Sequence, residues 1–317
     1  MTLSKDIINN SFLNLIDSNL NFDVEKNLDT EELLPQELHL KVSNKSIEIK
    51  RAHNFQDNLR IKSFFNFLTE AIKLISSDLN FEIIVNLSEG IEQELNVKRF
   101  CYSQKKGFKN IMIPDAHNFL TYEKVISLNS IDIPFAKKTK KAVFAGSDTG
   151  RIINGFSQRS LFCERFANDE EVFAKLIGTI RDEVKSSITN FDKVFTSNYI
   201  SIQEQLKSQV IVNIDGNSTS WERPLWAMAS NSICIYLEPM HEHEFESWYY
   251  PLMQFLCVTP KVSIDNFKIF INNNFEDSYW QLLNYNQKIF SFTVTDLKNQ
   301  YLYMAYLISH YNKKYNE

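Results

Sequence analysis

The feature that most constrains this chain is the alternation of short β-rich apolar runs with helical segments through its second half. Residues 141–144 read as a strand, 146–150 as a loop and 157–166 as a helix. Residues 193–196 and 210–214 read as strands, 221–229 as a helix and 233–237 as a further buried strand. Strands that alternate with helices form parallel sheets covered on both faces, so the spacing predicts an α/β fold. From residue 276 to 311 the pattern is helical, with no strand signal.

The first half is less regular. Residues 5–18 and about 56–77 carry apolar positions at helical spacing, with Phe64, Phe65, Leu68, Ile72 and Leu74 marking the second stripe. Residues 37–49 alternate like a hairpin that turns at Ser43-Asn44-Lys45, and 81–87 and 110–114 read as short strands. A length of 317 residues exceeds the usual size of one core, while 7 glycines and 7 prolines leave no low-complexity linker. The expected organisation is an N-terminal lobe over 1–135, a second lobe over 136–275, and helices over 276–317 that pack back across the lobes.

Net charge is −5, which disfavours a nucleic-acid partner, because phosphate-backbone affinity needs concentrated Lys and Arg. Two local basic runs, Lys105, Lys106 and Lys109, then Lys137, Lys138, Lys140 and Lys141, read either as solvated faces or as a peripheral contact with an anionic membrane or glycolipid. Cys101, Cys163, Cys234 and Cys257 form no CxxC pair and sit in apolar surroundings, as buried free thiols do. The N-terminus lacks the apolar core of a signal peptide, and no stretch approaches about 18 uninterrupted apolar residues. The expected location is cytoplasmic.

Two loops have the composition to hold a diphosphate. Gly146, Ser147, Thr149 and Gly150 leave a strand and lead toward a helix carrying Arg159; small residues let backbone N–H groups approach an anion. A P-loop is excluded, since the GK[ST] ending is missing. The second loop, Asp215-Gly216-Asn217-Ser218-Thr219-Ser220-Trp221-Glu222-Arg223, runs from a buried strand into a helix. Its Asp-Gly turn and Ser/Thr cap are ordinary turn chemistry, but Arg223 adds a fork suited to phosphate oxygens. Glu222 and Asp215 are candidates for ribose contact or for orienting the loop.

In these segments the chain resembles glycosyltransferase family 90, the family of lipopolysaccharide-modifying enzymes, fungal capsule xylosyltransferases and animal protein O-glucosyltransferases. The resemblance is carried by Gly146-Ser147-x-Thr149-Gly150 with Arg159, and by Asp215-Gly216-Asn217-Ser218-x-Ser220-Trp221-x-Arg223. It continues through Ala229-Ser230-Asn231-Ser232, Glu238, Trp248-Tyr249-Tyr250-x-Leu252 and Val258-Thr259-Pro260. On the N-terminal side it takes in residues 81–89 and 110–115, so it spans about residues 80–260 in the family's order. Two departures stand out: Ala145 where the family often has Arg, and Glu89 where the animal enzymes have Asp.

The resemblance implies a GT-B-like fold of two Rossmann-like lobes with a C-terminal helical segment. It implies inverting transfer of glucose, xylose or galactose from a UDP-sugar to a surface glycan or glycolipid, with no cofactor and no metal. Inversion requires a carboxylate base at the acceptor hydroxyl, and Glu89 takes that role by alignment with Asp115 in reserve. It also requires positive charge on the departing diphosphate, the role given to Arg159 and Arg223. Met240-His241-Glu242-His243-Glu244 holds metal-ligand residue types, but two histidines two apart do not share a helical face. Trp248, Tyr249 and Tyr250 read as core and acceptor-cleft lining. The rival reading is a catalytically inactive sugar- or nucleotide-binding scaffold of the same fold.

Overall fold

A computed structural model of the chain describes residues 24, 28–44, 46–53, 58–93, 95–115, 118–240, 244–256, 258–273 and 277–317. The helical pattern at 5–18, His241, Glu242, His243 and Cys257 lie outside the described residues. The chain forms two compact units. Of the described residues, one takes those up to Tyr122, with 245–252 and 293–317; the other takes 123–244 and 253–292.

The first unit is built on β1 (Glu37–Ser43), β2 (Ser46–His53), α1 (Asn58–Lys73), β3 (Asn80–Asn86), β4 (Phe100–Cys101), β5 (Ser103–Lys105) and β6 (Ile111–Met112). Its main sheet has the order β2-β1-β3-β4-β6. Strand β1 is antiparallel to both β2 and β3, whereas β3, β4 and β6 run parallel. The parallel sheet expected for this half is therefore mixed: the β1–β2 hairpin closes locally and adds an antiparallel edge. On α1 the buried apolar side chains are Phe64, Phe67, Leu68, Ala71 and Ile72, spaced as one helical face. This corrects the expected stripe at two positions. Phe65 is only half-buried and Leu74, beyond the end of the helix, is 52% exposed.

The second unit runs through α2 (Asn118–Ile131, which begins in the first), β7 (Thr139–Gly146), α3 (Gln158–Arg165), β8 (Val172–Ile177), α4 (Asp182–Ser187), α5 (Phe191–Val194), β9 (Phe195–Thr196), α6 (Ile202–Gln205), β10 (Ser208–Asn213), α7 (Arg223–Ala229) and β11 (Ile233–Leu237). The strand expected at 193–196 is half helical, because Asn190 O accepts from both Lys193 N and Val194 N. Beyond β11, β12 (Phe245–Ser247) and the start of α8 (Tyr250–Phe255) return to the first unit. There β12 pairs with β5, and Trp248 packs 5.0 Å from Tyr303. The Trp248-Tyr249-Tyr250 trio is buried core.

The chain closes with β13 (Lys261–Val262), α9 (Phe267–Asn273), α10 (Asp277–Thr295) and α11 (Leu297–Asn316). In the first unit Tyr311 of α11 packs on Phe81 and Phe100 and donates to Glu82 O at 3.1 Å. Among the described residues no helix is long and apolar enough to cross a membrane.

The sheet of the second unit is parallel throughout, in the order β13-β11-β10-β7-β8-β9. Counted within the unit this is 3-2-1-4-5-6 read from the β9 edge, the order of doubly wound nucleotide-binding sheets. Strand direction of travel reverses between β7 and β10, and ligands of such sheets bind outside the carboxyl ends at that point. One face is an apolar core of Phe144, Val212, Ile235, Phe162 and Phe267. Gln287 of α10 is fully buried; its amide donates to Cys234 O at 2.8 Å and accepts from Cys234 N at 3.0 Å. It supplies the backbone partner that β13, which pairs only with Tyr236 and Leu237, leaves missing along β11.

Candidate functional site

The loops after β7 and β10 leave the sheet on either side of the reversal point, and they meet. Gly150 N donates to Asn217 Oδ1 at 2.8 Å. Gly150 has a φ of +99°, and a Cβ there would lie 3.0 Å from Gly216 O. Gly216 is as tightly held: a Cβ would fall 2.5 Å from Thr149 Oγ1 and 3.0 Å from Arg159 Nη2. A Cβ on Gly150 would meet backbone and one on Gly216 would meet the Thr149 and Arg159 side chains, so glycine at each position lets the two loops approach closely.

Arg159, from the first turn of α3, fastens the two loops together. Its Nη1 donates to Ser147 O at 3.2 Å and to Thr149 Oγ1 at 2.7 Å. Its Nε and Nη2 donate to Ile214 O at 3.1 and 3.0 Å, and Nη2 reaches Ser220 Oγ at 3.4 Å. Asp215 orders the second loop by accepting from Ser220 N at 2.9 Å. The indole of Trp221 donates to Ser218 Oγ at 3.3 Å. Glu222 turns to Lys124 of α2 in an exposed ion pair. Gly146, Ser147, Thr149, Gly150, Arg159, Asp215, Gly216, Asn217, Ser218 and Ser220 thus form one cluster, with Trp221 at its edge.

Arg223 is held differently. Its guanidinium donates to Gln205 Oε1 at 2.9 Å and to Ala145 O, and lies 5.2 Å from the centre of the Phe144 ring. A Cβ on Gly146 would stand 3.3 Å from its Nη2. Among the described residues no carboxylate lies within ion-pair distance of it. Burial, with the like charge of Arg159, brings its pKa down to about 10, so it remains a cation at neutral pH. Among the described residues the side-chain oxygen of fully buried Asn213, at the end of β10, accepts no hydrogen bond.

Sequence reasoning missed the pair beneath the first loop. Asp148 is buried and accepts from Arg181 Nε at 3.0 Å, Arg181 Nη2 at 2.9 Å and Ser157 Oγ at 2.7 Å. Arg181 Nη1 also donates to Gly150 O at 2.6 Å. Burial works to raise the Asp148 pKa, but the Arg181 and Ser157 hydrogen bonds outweigh it and hold the carboxyl below its usual range. Ser157 caps α3, so the anion beside that helix start is the protein's own carboxylate.

Glu89 and Asp115 lie in the first unit, three residues past the ends of β3 and β6. These strands are parallel with β4 between them, so both carboxylates leave the same sheet edge from strands about 10 Å apart. Glu89 is exposed and Asp115 half-buried. Beneath them Asn86 donates to buried Glu37 at 3.1 Å, and Arg99 Nε donates to the same carboxylate at 3.3 Å.

Asp29, His39 and Glu82 place ligand-type atoms within 4.8 Å of one another. Lys50 Nζ already stands 2.9 Å from Asp29 and 3.1 Å from Glu82, and Arg51 Nε donates to His39 Nδ1 at 3.2 Å. Side-chain cations occupy the place an ion would take. Cys101, Cys163 and Cys234 are buried free thiols, and burial pushes the pKa of each upward. Of the second lysine run, Lys137, Lys140 and Lys141 are exposed, whereas Lys138 is buried and bonded to Asp132.

No family model matches the chain, and no curated protein matches it in sequence.

Proposed function

We propose that the chain is an inverting, metal-independent glycosyltransferase of GT-B type that moves glucose, xylose or galactose from a UDP-sugar to a hydroxyl of a surface glycan or glycolipid. The observation that carries this reading is Arg223, a cation with no carboxylate at ion-pair distance among the described residues, beside two tightly apposed glycine loops at the reversal point of a doubly wound sheet. Ligands favour that point, and an unneutralised guanidinium there favours an anion. The resemblance to glycosyltransferase family 90 names the anion as a nucleotide diphosphate.

In the reaction the acceptor oxygen bonds to the anomeric carbon as the bond from that carbon to the diphosphate breaks. Glu89, or Asp115 in reserve, takes the hydroxyl proton, and the bond electrons leave with UDP. Arg223 stabilises the charge gathering on the leaving group. Arg159 shapes the loops that surround it, with its donors turned to protein acceptors. We place it in the cytoplasm, where exposed Lys137, Lys140 and Lys141 suit a peripheral contact with the inner face of a membrane.

That commitment of Arg159, together with Ala145 at a position where the family often has Arg, favours a second reading: a nucleotide-binding scaffold without turnover. UDP release from UDP-glucose, UDP-xylose and UDP-galactose in the presence of EDTA separates the two. Transferase action predicts release that falls with Arg223→Gln by the factor equivalent to about 2–4 kcal/mol. Absence of release from all three donors would leave the scaffold reading in place.

A further inference from the structure

In the first unit, Leu95, Asn96, Lys98, Phe108, Lys109 and Asn110 line an open cavity of about 450 Å³. Residues 95–110 contain five cations, Lys98, Arg99, Lys105, Lys106 and Lys109, and no carboxylate, in a chain whose net charge is −5. Arg99 is withdrawn from solvent, 1% exposed and bonded to Glu37 and Glu31. At the turn after β5, Glu246 of β12 accepts from Gly107 N at 3.0 Å. Lys109 is exposed and makes no ion pair with a described residue.

Two of the other lining residues are held by hydrogen bonds. Asn110 Oδ1 accepts from Arg99 N at 3.0 Å, while its amide N–H₂ has no partner among the described residues. Phe108 is tied down through its carbonyl, which accepts from Gln104 Nε2 at 2.8 Å. An aromatic ring, side-chain amides and lysines around one small cavity match a sugar ring that carries a negative charge. The ring offers an apolar face, the amides meet hydroxyls, and ammonium groups meet a carboxylate or phosphate. A polynucleotide would call for a basic stripe along the surface.

We propose that this cavity binds an anionic saccharide, a sugar bearing a carboxylate or a phosphate. Its role as the seat of the acceptor glycan rests on the transferase reading; the binding itself does not. The test is titration of the full chain with glucuronate, glucose 6-phosphate, glucose and inorganic phosphate, followed by calorimetry and by NMR. The same titrations are run on Lys109→Glu, with UDP as a separate ligand.

The expected result is saturable binding of both charged sugars, with glucose and phosphate each at least about tenfold weaker. Lys109→Glu should weaken the charged sugars by about tenfold and leave the response to UDP unchanged. Equal affinity for glucose and glucuronate, phosphate binding as well as glucose 6-phosphate, or indifference to Lys109→Glu would each overturn the proposal. If the charged sugars bind as expected but UDP does not, the cavity stands and the transferase reading falls.

Discussion

Substituting alanine at Gly150 probes the contact between the two loops, and Gly178 provides its control. Both glycines lie in the second unit with positive φ, +99° and +78°. Nothing stands within 4 Å of a Cβ placed on Gly178, so Gly178→Ala pays only backbone strain, about 1–2 kcal/mol. On Gly150 the Cβ would lie 3.0 Å from Gly216 O and 3.3 Å from Gly216 C. Those are backbone atoms that cannot swing aside, so overpacking adds about 1–3 kcal/mol to a similar strain. At about 2–4 °C per kcal/mol, Gly178→Ala should lower Tm by about 4 °C and Gly150→Ala by about 10 °C. Thermal unfolding followed by circular dichroism, with both variants side by side, measures the difference. Equal shifts would show that the loops are not pressed together as described, and the reasoning about Gly216 would fall with them.

Other outcomes follow from the same contacts. Asp148→Asn should destabilise by about 2 kcal/mol at neutral pH, less than a fully buried pair because Arg181 keeps contact with water. Because the folded-state pKa of Asp148 is depressed, its contribution is present above the unfolded value of 3.8 and is lost as pH falls through the folded value. Wild type and Asp148→Asn should therefore converge in denaturant midpoints at low pH. Gln287→Leu strands the N–H and C=O of Cys234 and should cost about 2–4 kcal/mol in urea unfolding. With Cys101, Cys163 and Cys234 buried, at most one of the 4 thiols should react with a chromogenic thiol reagent before denaturation, and all 4 after it.

Much of the second unit is legible in the sequence because its central strands are buried on both faces and read as continuous apolar runs. Strands β7, β10 and β11 fall where 141–144, 210–214 and 233–237 point. Strand β8 escapes notice because Lys175 interrupts its run and Phe173 faces outward, 42% exposed. Strands β4, β12 and β13 are two or three residues long, too short to show any period, whereas the equally short β6 lies within the run read at 110–114. On α1 the apolar count cannot tell Phe65 from Phe67; only the packed face does. The loops of the candidate site are visible as small residues after strands. Asp148 and Arg181, by contrast, stand 33 positions apart, and only the fold brings them together. The internal engagement of Arg159 is equally invisible in a sequence, where a phosphate ligand and a structural clamp are the same letter.

The central claim is that Arg223 and the paired loops receive the diphosphate of UDP. Calorimetric titration of UDP into the wild type and into Arg223→Gln, both with EDTA present, tests it most directly. The account predicts saturable binding by the wild type that weakens by about ten- to a hundredfold in the variant, the loss of one or two charge-assisted hydrogen bonds. Absence of binding by the wild type, or equal affinity in the two proteins, would contradict it.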